Sequence, residues 1–352
     1  MSKVSLGLIF GGQSQEHEVS LQSAKNIYEA VNKDKYDIKL IGVDKEGNWF
    51  LFDKAFLENE NDPKNIKLKK NGIELGFSLR GKNSKLIKLD NKEEINLDIV
   101  FSIIHGTIGE DGALQGMLKV LNIPFVGAGI LGSAVGMDKE IMKRLLINAG
   151  IKTSNYIAIR EKDIVDYEKI EEKLGYPMFV KPANMGSSVG INKAKNKTEL
   201  KEAISEAFKY DNKIIIEEFI KGREIECAIL EKNGEILASG IGEITPNLDK
   251  HEFYSYEAKY IDENGAKLEI PAKLETEIVK KVQNISKEVF KILECKDIAR
   301  VDSFLCENGD VYVNEINTLP GFTKISMYPK LWNEEGISYS ELIDILIKNN
   351  LK

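Results

Sequence analysis

Twice in its first third the chain passes from a strand pattern to a helix pattern through a glycine-rich turn, and this rhythm restricts the fold more than any other feature. Val4, Leu6, Leu8 and Phe10 recur at period two, and Gly11-Gly12 end the run. Leu21, Ala24, Ile27, Tyr28 and Val31 then share one helical face, and Ile38–Val43 reads as a second strand. Ile99–Ile104 is a near-continuous apolar run, the pattern of a strand buried on both faces of a parallel sheet. Leu114, Met117, Leu118 and Leu121 follow at helical spacing. A βαβ alternation of this kind predicts an open parallel α/β sheet with ligands at the carboxyl ends of its strands. Between these units, Ile73–Leu89 reads as an exposed hairpin turning at Gly81-Lys82-Asn83. It contains a near P-loop, but Asn83 stands where a Ser or Thr must hold Mg²⁺, so no phosphate site is expected there.

Two further lobes follow. From Asp138 to Asn212 the pattern is helix, strand (Met178–Lys181), glycine-rich turn, strand (Gly190–Lys193) and helix (Thr198–Lys209). From Lys213 onward it is strand-rich: Ile214–Glu218, Glu224–Glu231, Glu235–Ile244, a long helix Leu274–Leu293, then Ala299–Leu305 and Val311–Ile316. The expected units are therefore 1–137, 138–212 and 213–352. The loop 246–266 carries Phe253, Tyr254, Tyr256 and Tyr260 but too little apolar surface for a core of its own, the pattern of a functional lid or a disordered segment.

With 42% hydrophobic and 30% charged residues, the chain can fill ordinary globular cores. Its net charge of −7 argues against coating nucleic acid or anionic membrane, while local phosphate sites remain allowed. No apolar run approaches the roughly 20 residues of a membrane span, and no signal-peptide core follows Met1-Ser2-Lys3. A cytoplasmic protein with neither nucleic-acid nor membrane partners is expected. Cys227, Cys295 and Cys306 fit neither a disulfide framework nor a metal knuckle.

The chemistry-bearing segments each have a plain alternative. Lys181 is followed by Pro182-Ala183-Asn184-Met185-Gly186-Ser187-Ser188-Val189-Gly190, either a polar hairpin turn or a cradle of N–H and hydroxyl donors for phosphate. Arg300 and Asp302 share one face of a strand, as do Glu315 and Asn317 on the next. Taken singly, these strands read as the wet side of a half-exposed sheet. As antiparallel neighbours they would bring together two carboxylates and an amide oxygen, donors that suit Mg²⁺ beside a phosphate. Thr318-Leu319-Pro320-Gly321-Phe322 follows at once and exposes backbone N–H groups. His105-Gly106-Thr107-Ile108-Gly109-Glu110-Asp111-Gly112 opens a helix, where its acids serve either an anion-friendly site or simple helix-start electrostatics. Ser20 or Glu18 either caps the first helix or, in the case of Glu18, holds a substrate ammonium. In the long loop, Phe253–Tyr260 either packs onto the domain or closes over a reactive intermediate, with Lys259 on phosphate.

In sequence order, GGQSQEHEVS, HGTIGEDGALQG, MDK, VKPANMGSSVG, IEEFIKGREIE, YEAKY, ARVD, NEINTLPGFT and SMYP resemble the D-alanine–D-alanine ligases of the ATP-grasp superfamily, nearly end to end. The resemblance implies an N-terminal open parallel α/β sheet followed by the two-lobed ATP-grasp fold. It also implies ATP with two Mg²⁺ ions, for which Mn²⁺ can substitute, and ligation of two D-alanines through an acyl phosphate for peptidoglycan. Carried over by position, Glu18 grips the first D-alanine's ammonium in a network with Ser187 and Tyr260. Lys139, Lys181 and Lys259 bind phosphates, with Ser188 in the cradle, and Glu217, Phe219, Ile220 and Glu224 bind adenine and ribose. Asp302, Glu315 and Asn317 hold the metals, and Arg300 with the Gly321 N–H meets the oxyanion. Ser326, Met327 and His105 belong to the second amino-acid site. Homodimers are common among such relatives, so a homodimer is expected. The alternative within the family is D-lactate or D-serine as acceptor. Relatives of that kind commonly change the lid tyrosine or carry an arginine near Met327, so Tyr260 and apolar Met327 point to D-alanine. A nucleotide-binding regulator without catalysis is the reading from another class, and the intact Arg300, Asp302, Glu315 and Asn317 set speaks against it.

Overall fold

In the computed structural model, which describes residues 2–81, 84–246 and 266–351, the strand Val4–Gly11 (β1) lies deep in the first sheet. Leu6, Leu8, Ile9 and Phe10 have apolar neighbours on both faces and are fully buried. β1 pairs in parallel with Tyr36–Val43 (β2) and, on its other side, with Ile99–Ser102 (β9). Beyond β2 the sheet continues through Trp49–Phe52 (β3), Ile73–Ser78 (β6), Lys85–Lys88 (β7) and Glu94–Ile95 (β8), all antiparallel. The expected parallel sheet is present as β2, β1 and β9, and the strands beyond β2 are antiparallel additions to it. The connection Asp44–Asn48 is too short for the crossover a parallel return needs, and Asp44 closes it by accepting the Glu46 and Asn48 N–H groups. Leu57–Glu58 (β4) and Lys67–Leu68 (β5) form a separate small ladder.

The helix His17–Ala30 (α1) lays Val19, Leu21, Ala24 and Ile27 on the sheet. Ser20 pins its first turn to the strand ends, accepting the Gly11 N–H (2.8 Å) and donating to the Ile103 carbonyl (2.6 Å). Gly11 is obligatory here: its φ is +91°, and a Cβ would lie 2.1 Å from the Val43 carbonyl oxygen. Ala113–Val120 (α2) and Ile130–Met137 (α3) complete this lobe.

The second lobe follows Lys139–Asn148 (α4), whose N-cap Asp138 accepts from the Glu140 and Ile141 N–H groups and whose Met142 and Leu146 pack into the core of the third lobe. Its antiparallel sheet contains Tyr156–Arg160 (β10), Met178–Pro182 (β11), Asn192–Ala194 (β12) and Lys213–Glu218 (β13), in the order β10-β13-β11-β12. Tyr167–Leu174 (α5) and Lys197–Ala207 (α6) cover it. β13, grouped with the third lobe by sequence, is hydrogen-bonded on both sides within this sheet, so the expected division after Asn212 cuts through it. Ile214, Ile215 and Ile216 are all fully buried, as an interior strand requires.

The third lobe is a five-stranded antiparallel sheet of Arg223–Lys232 (β14), Glu235–Pro246 (β15), Ala266–Glu269 (β16), Ile298–Leu305 (β17) and Val311–Asn317 (β18), in the order β16-β15-β14-β17-β18. Thr276–Ile292 (α7) buries Val282, Val289 and Phe290 on it. Met327–Glu334 (α8) and Tyr339–Lys348 (α9) instead join the core of the first lobe, where Tyr328, Trp332, Leu342 and Leu346 share one cluster with Leu21 and Phe101. Phe101 and Phe322 meet edge-on at 5.7 Å. The first and third lobes therefore bury a common core, and the loops between them are held in fixed register.

Candidate active site

β17 and β18 pair with Arg300 opposite Asn317 and Asp302 opposite Glu315, so all four side chains rise from one face. The expected convergence is present. Arg300 donates to both Asp302 oxygens at 2.7 Å, and its Nε also lies 3.0 Å from Glu226 Oε2 on β14. Asn317 Nδ2 donates to Asp302 Oδ2 at 2.9 Å. Among the described residues no three His, Cys, Asp or Glu side chains form a closed metal cage. Two carboxylates and an amide oxygen do fit a cation such as Mg²⁺, which takes one or two carboxylates and completes its shell with phosphate and water.

Beside this face stand the lysines. Lys139 opens α4, donates to the Met185 carbonyl (2.6 Å) and lies 3.9 Å from Glu315. Lys181, at the end of β11, is 2.6 Å from Glu217 Oε2 and donates to Asn314 Oδ1 at 3.2 Å. The other Glu217 oxygen is 2.9 Å from Lys143, a fully buried residue one helical turn beyond Lys139 that sequence reasoning missed. Burial alone would raise the Glu217 carboxyl, but Lys143 and Lys181 outweigh it and hold it at about 2. Each oxygen of the side chain expected to bind adenine or ribose thus has one lysine beside it. Phe219 is 42% exposed at the rim, 6.1 Å from the Phe179 ring and 4.9 Å beneath Lys193 Nζ. Ile220 follows it, and Glu224 enters β14 opposite Phe304 and Ile244.

The turn after β11 holds Ser187 and Ser188 at φ +48° and +60°, left-handed conformations unusual for serine that concentrate at functional sites. Ser187 donates a very short hydrogen bond to Glu16, not Glu18. Glu16 is 7% exposed, and two glycines make room for it: a Cβ on Gly106 or Gly186 would sit 2.9 or 3.2 Å from its Oε2. Glu18 faces elsewhere and pairs with Lys45 at 2.6 Å. At a helix start, residues two apart point to nearly opposite sides, so only one of the two acids can meet Ser187. Tyr260 and Lys259, the other expected members of this region, and nearly all of the loop 246–266 lie outside the described residues.

The loop after β9 reaches across to the third lobe. His105 Nδ1 lies 3.2 Å from the Leu319 carbonyl and Nε2 3.4 Å from Ser23 Oγ. Burial pushes this imidazole down to about 4, and the ring is an interior linker rather than a pocket wall. Glu110, read from the sequence as part of an anion-friendly site or as a helix-start charge, accepts the Gly106 N–H (2.6 Å) and the Leu319 N–H (3.2 Å). Burial first, and then the charge of Glu16, push its carboxyl up to about 8. It lines one cleft with Lys139, Gly186, Glu315 and Asn317. Gly321 and Ser326 are adjacent, since a Cβ on the glycine would lie 3.0 Å from Ser326 Oγ. Ser326 Oγ accepts the Thr323 N–H at 3.0 Å. Met327, expected to line the second pocket, is 4% exposed and packs into the core over Gly242. What remains at that point is the N-terminus of α8.

Residues 5–128 match the family described as D-ala D-ala ligase N-terminus, and residues 145–348 that described as D-ala D-ala ligase C-terminus. The chain is 52% identical to a D-alanine–D-alanine ligase of Oceanobacillus iheyensis, over 98% of this chain and 94% of that one. It is 47% identical to D-alanine–D-alanine ligase A of Escherichia coli, over 99% and 96%. Among solved structures, the D-alanine-D-alanine ligase from Coxiella burnetii is similar at a TM-score of 0.86 and 35% identity, covering 100% of this chain and 94% of that one. The VanG D-Ala:D-Ser ligase from Enterococcus faecalis is similar at 0.85 and 34%, covering 99% of each.

Proposed function

This chain belongs to the D-alanine–D-alanine ligase family, and from that premise we propose how its own residues join two D-alanines to D-alanyl-D-alanine at the expense of ATP. The dipeptide serves bacterial cell-wall synthesis. The observation that carries the residue assignment is one convergence: Lys139, Glu315 and Asn317 meet Glu110 and Gly186 in a cleft whose glycine-lined neighbour is Glu16.

Glu16, oriented by Ser187, takes the ammonium of the first D-alanine and leaves its carboxylate facing the nucleotide. Lys139 and Lys181, with Lys259, hold the phosphates in line for that carboxylate, because phosphoryl transfer needs placement and charge neutralisation more than covalent help. Asp302, Glu315 and Asn317 would hold the divalent cations, two Mg²⁺ with Mn²⁺ as a substitute, which neutralise phosphate charge when bound. Phe219 and Ile220 flank adenine, Glu224 takes the ribose, and Ser188 adds a donor to the phosphate cradle. The second amine then attacks the acyl carbon, and the oxyanion is met by Arg300 and the Gly321 N–H. Ser326 and the first turn of α8 receive the second carboxylate at a helix N-terminus. Water must be kept from the acyl phosphate, and that role falls to the loop 246–266 with its Tyr260. A homodimer in the cytoplasm belongs to the same reading; among the described residues no helix is long and apolar enough to cross a membrane.

The test is phosphate release from ATP and Mg²⁺ with D-alanine, L-alanine or no amino acid, followed by product mass. One D-alanyl-D-alanine per phosphate, formed with D-alanine alone and preferred over D-serine or D-lactate acceptors, is expected. Dominant ester or D-alanyl-D-serine product would contradict the acceptor assignment.

A further inference from the structure

We propose that Lys143 is a positioning residue for the nucleotide site, acting through Glu217 to leave the charge of Lys181 available to the phosphates of ATP. The inference rests on the assignment of Lys181 to phosphate binding. Lys143 is fully buried on α4 and touches no open surface, so it cannot contact a ligand itself. Its ammonium lies 2.8 Å from Ser154 Oγ and 2.9 Å from Glu217 Oε1. Burying a lysine is expensive unless its charge is matched, and a packing role alone is served better by methionine or leucine.

The matching carboxylate is shared. Glu217 Oε2 meets Lys181 Nζ at 2.6 Å, so two ammonium groups bracket one carboxylate and the trio carries a net charge of about +1 by ordinary protonation states. Without Lys143, Glu217 would neutralise Lys181 in a closed ion pair, and the end of β11 would present no net charge to an incoming triphosphate. With Lys143 in place, a surplus positive charge stays with the trio at the end of β11, and an anionic ligand completes the balance. The same face of α4 carries Lys139 one turn earlier, toward Met185 and Glu315, so a single helix supplies one lysine to the cleft and one beneath it.

Steady-state kinetics of the full chain test this. Lys143→Met is expected to raise KM for ATP about tenfold while KM for D-alanine stays within about twofold, since one nearby unit charge is lost from the nucleotide side only. Lys143→Gln keeps a hydrogen-bond donor for Ser154 but removes the charge, and it carries the same expectation should the methionine variant not fold. Pairing either change with Glu217→Gln leaves Lys181 without its counter-carboxylate, so KM for ATP is expected to fall below that of the single variant. A purely structural role gives no such rescue. Unchanged KM for ATP in the single variants, or a double variant no better than the single, overturns the proposal. Lys181→Met separates the two levels: if it leaves KM for ATP unchanged, the phosphate assignment of Lys181 fails, whereas a rise there with silent Lys143 variants sinks the Lys143 inference alone.

Discussion

Replacing Glu16 with glutamine is expected to raise KM for the donor D-alanine about a hundredfold, the loss of a charge-assisted hydrogen bond of about 2–3 kcal/mol. Glu18→Gln is expected to stay within about twofold, in line with the small worth of exposed ion pairs. The contrast follows from geometry. Glu16 is buried, is held by Ser187, and occupies room that Gly106 and Gly186 leave for its carboxylate. Glu18 spends its charge on Lys45 at the edge of the first lobe. Initial rates at varied D-alanine and saturating ATP measure both variants side by side. A large effect of Glu18→Gln beside a silent Glu16→Gln would return the ammonium to Glu18.

Arg300→Lys is expected to lower kcat by about 10²–10³, the range for removing one preorganised oxyanion donor, while ATP affinity by calorimetry changes little. Lysine keeps a positive charge between the buried Asp302 and Glu226 carboxylates but cannot reproduce the two-pronged contact of the guanidinium. Arg300→Ala removes the counter-charge altogether, and a stability loss of about 3–5 kcal/mol is expected to accompany its loss of turnover. Full turnover in Arg300→Lys, with the fold intact, would remove Arg300 from the oxyanion's donors.

These two sites differ in how much of them was legible in the sequence. Arg300, Asp302, Glu315 and Asn317 follow from strand periodicity plus one assumption, that neighbouring strands pair antiparallel, and the register bears it out. Their alternation with buried Val301 and Ile316 leaves little freedom in which face they take. Glu16 and Glu18 lie at a loop–helix junction, where no period applies and one residue of displacement changes the facing direction. What decides between them is remote: Ser187 and Gly186 share one turn, with Ser187 171 residues from Glu16 in sequence, and Gly106 comes from a further loop.

The same distance hid the others. His105 and Glu110 grip the carbonyl and N–H of Leu319, 214 and 209 residues onward, so neither role leaves a local trace. Met327 is apolar in either role, pocket wall or core, and only the closeness of Gly242 decides for the core. β13 adjoins β14 in sequence, yet its run of three buried isoleucines marks an interior strand whose partners are β10 and β11. Strand identity was readable from composition, whereas strand partnership was not.

The most direct test of the central claim is oxygen transfer from donor to phosphate. D-alanine labelled with ¹⁸O in its carboxylate, turned over with ATP and Mg²⁺, is expected to deliver one ¹⁸O into each released phosphate. The carboxylate oxygen that attacks the γ-phosphorus leaves with it when the second amine adds to the acyl carbon and displaces phosphate. Unlabelled phosphate formed alongside dipeptide would mean that the carboxylate is not activated by phosphorylation, and the roles of the lysines, the oxyanion donors and the excluded water would fall with it.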